Sequence, residues 1–142
     1  MISVHKGVAH PWQCDVLGHM TTRYYVGMFD DASYHFLYEI FGWVGASDES
    51  GKLGWVDVNH NINYQTEVRA GDLLEIRAVL TKIGTKSIQA SYQMQNLQRG
   101  DVAATLDAVY VLFDLDERKS VAIDDNLRAL ATHALGGGDN SA

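Results

Sequence analysis

"GHMTTRYYVGMFDDASYHFLYEIFGWVG", Gly18 to Gly45, is the stretch whose reading decides the fold. Tyr25, Met28, Phe29, Ala32, Phe36, Leu37, Ile40 and Phe41 recur at helical spacing. The spacing predicts a helix from about Thr22 to Trp43, capped by Thr21 or Thr22 and closed by Gly42 or Gly45. Its apolar stripe is wide and aromatic, so it requires a sheet or another helix as cover.

The flanking sequence supplies a sheet. Residues 4 to 12 read as a first strand that Pro11, the single proline, ends or places at an edge. In "GWVDVNHNINYQTEV", Val56, Val58, His60, Ile62 and Tyr64 alternate with Asp57, Asn59, Asn61 and Asn63, a period of two with one wetter face. The turn "AGD" at 70 to 72 leads into "LLEIRAVLTKI", and Gly84 leads into "TKSIQASYQMQN". "RGD" at 99 to 101 precedes "VAATLDAVYVLFD", with Val102, Ala104, Leu106, Ala108, Tyr110 and Leu112 on one side. Three consecutive strands joined by turns form an antiparallel meander. Ser120 to Leu135 reads as a short closing helix with Asp124 or Asp125 near its start and Leu127, Leu130, Ala131 and Ala134 as its stripe. The expected class is α+β: one domain over residues 1–135, a long helix across a curved antiparallel sheet of about five strands, and a flexible tail at 136–142. Long strands with open edges favour pairing between copies, so a homodimer is the expected state, with further stacking beyond it.

Eleven Lys and Arg against eighteen Asp and Glu give a net charge of -7. That balance argues against nucleic-acid binding, which draws its affinity from phosphate neutralisation. Hydrophobic residues make up 46% of the chain, enough for a real core. The lone Cys14 fits a reducing cytoplasm and reads as core packing. There is no signal-peptide pattern and no apolar run of membrane-spanning length, so no membrane role is expected. The six histidines lack compact metal spacing, so no metal is expected.

The chemistry concentrates in "WQCDVLGHMTTRYY", Trp12 to Tyr25. Asp15 stands just ahead of the helix, whose first backbone N–H groups have no internal partners and attract negative charge. Acyl transfer needs a nucleophile or base beside donors aimed at an oxyanion. Asp15 supplies the first and the N–H groups of roughly Met20 to Thr22 the second. Gly18 allows a close approach of backbone to ligand. A loop-tying role for Asp15 stands beside that reading, and His19 is either bonded to backbone or a substrate contact. Tyr24, Tyr25, Trp55, His60 and Tyr64 are candidates for an acyl pocket, suited to an aryl group, a short aliphatic chain or a quaternary ammonium.

Asp15, Gly18, His19 and Tyr25 together resemble the front motif of hotdog-fold acyl-CoA thioesterases, in particular the 4-hydroxybenzoyl-CoA thioesterase-like group. "INYQTEVRAGDLLEI", "KIGTKSIQASYQM" and "AATLDAVYVLFDLDERKSVAIDDNLRAL" extend the resemblance over nearly the full length. It implies a hotdog fold, and thioester hydrolysis with Asp15 as nucleophile or general base. It also implies a catalytic set of Asp15, His19 and Thr22. Thr22 stands where the group often has Asn or His, so a backbone role survives there and an amide or imidazole role does not. The resemblance further implies an active site between the subunits of a dimer, or of a dimer of dimers. Coenzyme A would be part of the substrate, with no separate cofactor, and would be held by Lys82, Gly84, Thr85, Lys86 and Ser87, with Arg99 or Arg118 near a phosphate. Rival readings on the same scaffold are a non-hydrolytic acyl-CoA binding protein, an acyl-thioester hydratase or dehydratase, and a structural homo-oligomer.

Overall fold

The structure is a computed structural model that describes residues 1–45 and 51–135; the tail expected at 136–142 lies outside them. Its elements are β1 (Ile2–Val8), α1 (Thr22–Phe41), β2 (Leu53–Tyr64), β3 (Leu73–Ile83), β4 (Ser87–Asn96), β5 (Val102–Asp114), β6 (Lys119–Ser120) and α2 (Asp125–Ala134). One antiparallel sheet runs β1-β3-β4-β5-β2, with β6 added to β5. This is the α+β hotdog architecture: a long helix held by a curved sheet.

The helix forms where its stripe predicts. Thr21 enters it in extended conformation, and Gly42, at φ 66°, ends it with its N–H on the Tyr38 carbonyl at 2.7 Å. Tyr25, Met28, Phe29, Ala32, Ser33, Phe36 and Leu37 are buried, while Ile40 and Phe41 are partly covered. Phe29 and Phe36 meet Tyr92 of β4 edge-to-face, at 6.4 and 5.6 Å between ring centroids. Such pairs add to the free energy of burying the rings, roughly 1.5–3 kcal/mol for each large side chain. The inner faces of β3, β4 and β5 alternate as expected, with Leu74, Ile76, Ala78, Leu80, Ile88, Ala90, Tyr92, Met94, Ala104, Leu106, Ala108, Tyr110 and Leu112 all buried.

Four boundaries differ from expectation. The first strand ends at Val8, and Pro11 instead opens a 3-10 turn, Pro11–Gln13, where its missing N–H costs nothing. The strand after the helix ends at Tyr64, so residues 65–67 are free to wrap a cavity. Residues 119 and 120 pair with β5 as a short strand, and α2 starts only after Asp124, whose carboxylate accepts from the Leu127 N–H at 2.8 Å. The predicted phase of β2 is also wrong over its first half. A bulge between Asp57 and Asn59 lets Val58 slip out of register. Trp55 and Asp57 therefore sit opposite Leu112 and Tyr110 on the inner side, and Val56 faces outward opposite Val111. Beyond the bulge, His60, Ile62 and Tyr64 keep the predicted face, opposite Ala108, Leu106 and Ala104.

Candidate active site

The loop ahead of α1 is zipped into the fold by backbone bonds. Cys14 bridges Met20 and His19 bridges Arg69. The Met20 N–H donates to the Val68 carbonyl at 2.7 Å, and the Thr21 N–H to that of Gln13 at 2.9 Å. These two bonds correct the expected donor set, because neither group is left for an oxyanion. The Thr22 and Arg23 N–H groups lie in the first turn of the helix, where no intrahelical carbonyl can reach them. The Thr21 hydroxyl is buried without a hydrogen-bond partner among the described residues.

Asp15 is exposed. Its Oδ1 accepts from the Leu17 N–H at 2.8 Å and the His19 N–H at 3.2 Å, and Gly18 completes the turn at φ 82°. The carboxylate thus ties down its own loop, the plainer of the two roles read from sequence. One oxygen does this; the charge remains at the loop surface. Val16 and Leu17 beside it are 102% and 74% exposed, an apolar tip that nothing among the described residues covers.

A cavity of about 280 Å³ opens at the head of the helix. His19, Met20, Thr22, Tyr25, Tyr64, Gln65, Thr66 and Glu67 line it. Tyr25 and Tyr64 stand edge-to-face at 5.1 Å. Burial holds the Tyr25 hydroxyl above its ordinary pKa, partly offset by its bond to the Val68 backbone, so it stays protonated at neutral pH. His19 Nε2 lies 3.1 Å from Glu67 Oε2. Glu67 escaped the reading from sequence because it sat inside what looked like a longer strand. A strand end placed at Tyr64 would have exposed it.

Of the predicted residues, His19, Thr22, Tyr25 and Tyr64 come together at this cavity. Asp15 and Gly18 form the adjoining loop. Tyr24 is partly covered, with the Arg23 guanidinium 5.5 Å from its ring centroid. Trp55 is buried and stacked on Phe41 at 4.8 Å, and His60 faces Asp57, Nε2 to Oδ1, at 3.1 Å. Lys82, Gly84, Thr85, Lys86 and Ser87 sit at the β3–β4 hairpin, at the far end of β3 from the Asp15 loop, roughly 30 Å away at the rise of a strand. A Cβ at Gly84 would stand 2.8 Å from Ser87 Oγ, which can turn aside, and 3.3 Å from the Ser87 carbonyl oxygen. Arg128 of α2 holds the hairpin through the Gly84 carbonyl at 2.9 Å. Arg99 is spent on Asp72 and on the Glu67 carbonyl, and Arg118 stands over the Phe113 ring. Among the described residues no three or more His, Cys, Asp or Glu converge as a metal set, and no helix is long and apolar enough to cross a membrane.

A curved sheet around one long helix, with a cavity at the helix head beside an acid-bearing loop, defines a hotdog thioesterase. The family model of the Thioesterase-like superfamily matches residues 9–130, and the chain belongs to that family. It is 29% identical over 119 residues to the long-chain acyl-CoA thioesterase FadM of Escherichia coli strain K12, covering 82% of this chain and 87% of that protein. In fold it matches the Staphylococcus aureus protein SAV2348 in complex with CoA, with a TM-score of 0.82 and 16% identity over 96% of this chain and 87% of that one. It also matches the 1,4-dihydroxy-2-naphthoyl-CoA thioesterase Slr0204 of Synechocystis, with a TM-score of 0.76 and 16% identity over 90% and 93%.

Proposed function

We propose that this enzyme hydrolyses an acyl or aryl thioester of coenzyme A in the cytoplasm, with Asp15 as nucleophile or general base. One observation carries this reading. The open first turn at Thr22 faces a cavity walled by His19 and Tyr25, and an exposed carboxylate stands seven positions earlier. The thioester oxygen points at the Thr22 N–H, which stabilises the negative charge that grows on it. Asp15 either attacks the carbonyl carbon, expelling the CoA thiolate and leaving an anhydride for water to open, or takes a proton from the attacking water. In both routes one C–S bond breaks, one C–O bond to water's oxygen forms, and the thiolate leaves with a proton. His19, held by Glu67, contacts the substrate at the mouth, and Tyr64, Gly18 and Tyr24 complete its surroundings.

The distance from Asp15 to the β3–β4 hairpin supports a homodimer, and a dimer of dimers beyond it. Lys82, Gly84, Thr85, Lys86 and Ser87 are too remote to serve their own chain's loop. They fit the nucleotide arm of a substrate bound at a neighbour's. The open edge of β2 and the bare Val16–Leu17 tip are the surfaces a second copy would cover.

Asp15→Asn tests the chemistry cleanly. The amide retains Oδ1 as acceptor for the Leu17 and His19 N–H groups, so the loop is preserved while the charge is lost. On a panel of acyl-CoAs with free-thiol detection, wild type releases thiol, and the variant is slower by about a hundred-fold or more with its melting temperature unchanged. Equal acyl-CoA binding by both proteins with no thiol from either would instead establish a binding module.

A further inference from the structure

The nucleophilic route leaves one proton without an acceptor. Once Asp15 carries the acyl group as an anhydride it has no free carboxylate, and the water that opens the anhydride needs a different base. Among the side chains that line the cavity at the helix head, only an imidazole and a carboxylate are bases near neutral pH, and these are His19 and Glu67. The two meet there, His19 Nε2 to Glu67 Oε2 at 3.1 Å.

The contact fixes the tautomer. An ionised carboxylate only accepts, so in the neutral ring Nε2 carries the proton and Nδ1 the lone pair. The ring has no second partner among the described residues. Nδ1 is thus open to a water, and Glu67 balances the charge that appears on the ring when Nδ1 takes a proton. The nucleophile is close. The His19 backbone N–H donates to Asp15 Oδ1 at 3.2 Å, so base and nucleophile belong to one short loop. Asp15 Oδ2 has no partner among the described residues and is the oxygen free to attack.

The loop does not need this pair to hold it. Backbone bonds already do so, through the His19–Arg69 bridge and the Met20 N–H on the Val68 carbonyl. The side chains of His19 and Glu67 are 30% and 62% exposed, and ion pairs in such positions add little to stability. Yet the segment that carries Glu67 is pinned closely. The Gln65 and Thr66 N–H groups donate to the Ala103 carbonyl at 2.8 and 3.2 Å, Val68 is fully buried, and the Arg69 N–H donates to Asp72 Oδ2 at 2.8 Å. Arg99 binds the Glu67 carbonyl at 2.6 Å and is itself held by Asp72 and Asp101 at 3.3 and 3.6 Å. A fixed backbone that presents one carboxylate to an imidazole is the arrangement of an oriented base.

We propose that His19 is the base that activates water for the second half of the reaction, and that Glu67 is the residue that positions it. This rests on the hydrolase reading above and commits it to the nucleophilic route. Asp15 Oδ2 attacks the thioester carbon, the C–S bond breaks and the CoA thiolate leaves. Water then attacks the acyl carbon of the anhydride while His19 Nδ1 takes its proton. The bond from that carbon to Asp15 breaks, which frees the acid and restores the carboxylate. The imidazolium passes its proton to the thiolate or to solvent.

The test uses the intact protein and an acyl-CoA that it cleaves, with thiol release followed from the first turnover. His19→Gln and Glu67→Gln, each expected to melt as wild type does, slow the second half only. Thiol appears in a burst of about one equivalent per site. The steady rate that follows is about a hundredfold lower in His19→Gln and lower by a smaller factor in Glu67→Gln. kcat and KM fall together, so kcat/KM, which reports the steps up to thiolate loss, stays within about twofold of wild type. Hydroxylamine, which attacks an anhydride without a base, restores the steady rate of both variants as acyl hydroxamate and leaves Asp15→Asn slow. An unchanged kcat in both variants overturns the proposal. So does a loss carried by kcat/KM with no burst and no rescue, because the pair then serves binding or the first step. No thiol from wild type on any member of the acyl-CoA panel overturns the hydrolase reading and the proposal with it, an outcome told apart by the silence of wild type itself.

Discussion

β4 and β2 flank the same strand, β5, and their inner faces meet opposite fates. In β4, Ile88, Ala90, Tyr92 and Met94 are each at most 1% exposed, because α1 lies directly over them. In β2 only Gly54 and Trp55 are buried, and Val58 and Tyr64 are 55% and 50% exposed. The helix touches β2 at its two ends, Tyr25 on Tyr64 and Phe41 on Trp55. Between those ends the inner side of β2 carries Asp57 and His60, which no packing role calls for. One side of the helix thus builds the core, and the other leaves space for ligand and for a second chain.

The largest effect that separates the two strands is a cavity. Met94→Ala removes a fully buried side chain from β4 and is expected to cost about 2–5 kcal/mol. Ile62→Ala on β2 trims a half-covered one and is expected to cost under about 1 kcal/mol. Urea unfolding of both variants at the same dilute protein concentration checks this. Equal losses would mean that β2 is packed as a core strand.

A smaller effect concerns polar groups. Tyr92→Phe removes the 2.6 Å partner of the buried Tyr110 hydroxyl, which keeps the Ser33 side chain beside it, at an expected cost of about 1 kcal/mol. The double variant with Tyr110→Phe should cost little more than the single one, since it removes the second hydroxyl of the same bond. His60→Ala, whose ring faces an exposed carboxylate, should stay within about 0.5 kcal/mol of wild type. A larger loss at His60 would show that its pair with Asp57 holds the bulge together.

The same contrast marks what was legible in the sequence. The α1 stripe and the β3–β5 meander were readable because period and burial coincide there. β2 was readable as a strand but not in phase, since nothing in "VDVNHN" announces a bulge at Val58, and the bulge decides which side Asp57 serves. Pro11 reads as a strand end or an edge position and instead starts a 3-10 turn, and β6 is too short to leave a pattern. At the candidate site, the motif residues His19 and Tyr25 meet Thr22 at the cavity, with Asp15 in the adjoining loop. Glu67 was not legible, because its contact with His19 is made across the fold. The remoteness of Lys82 and Lys86 from Asp15 became visible only when the hairpin was placed at the far end of the sheet.

The smallest effect lies at the end of β5, where the chain turns into β6. Asp114 is 4% exposed, and its Oδ1 accepts from the Asp116 and Glu117 N–H groups at 2.9 Å each. Lys52 Nζ stands 3.6 Å from Oδ2, and Arg118, in the left-handed region at φ 57°, closes the turn on the Asp114 carbonyl. The Glu117 N–H, then that of Asp116, then Lys52 hold this carboxyl below its ordinary value of 3.8, against the opposing effect of burial. Between the folded value and 3.8 the unfolded chain binds more protons, so stability rises with pH there. The contribution is complete above the ordinary value and disappears as pH falls through the depressed one. Asp114→Asn retains the Oδ1 acceptor but removes the charge. Its urea midpoint should therefore lie below wild type at pH 7, and the gap should close as pH falls through the depressed value. A gap that stays constant from pH 7 down to pH 2 would mean that the turn depends on the shape of the side chain and not on its ionisation.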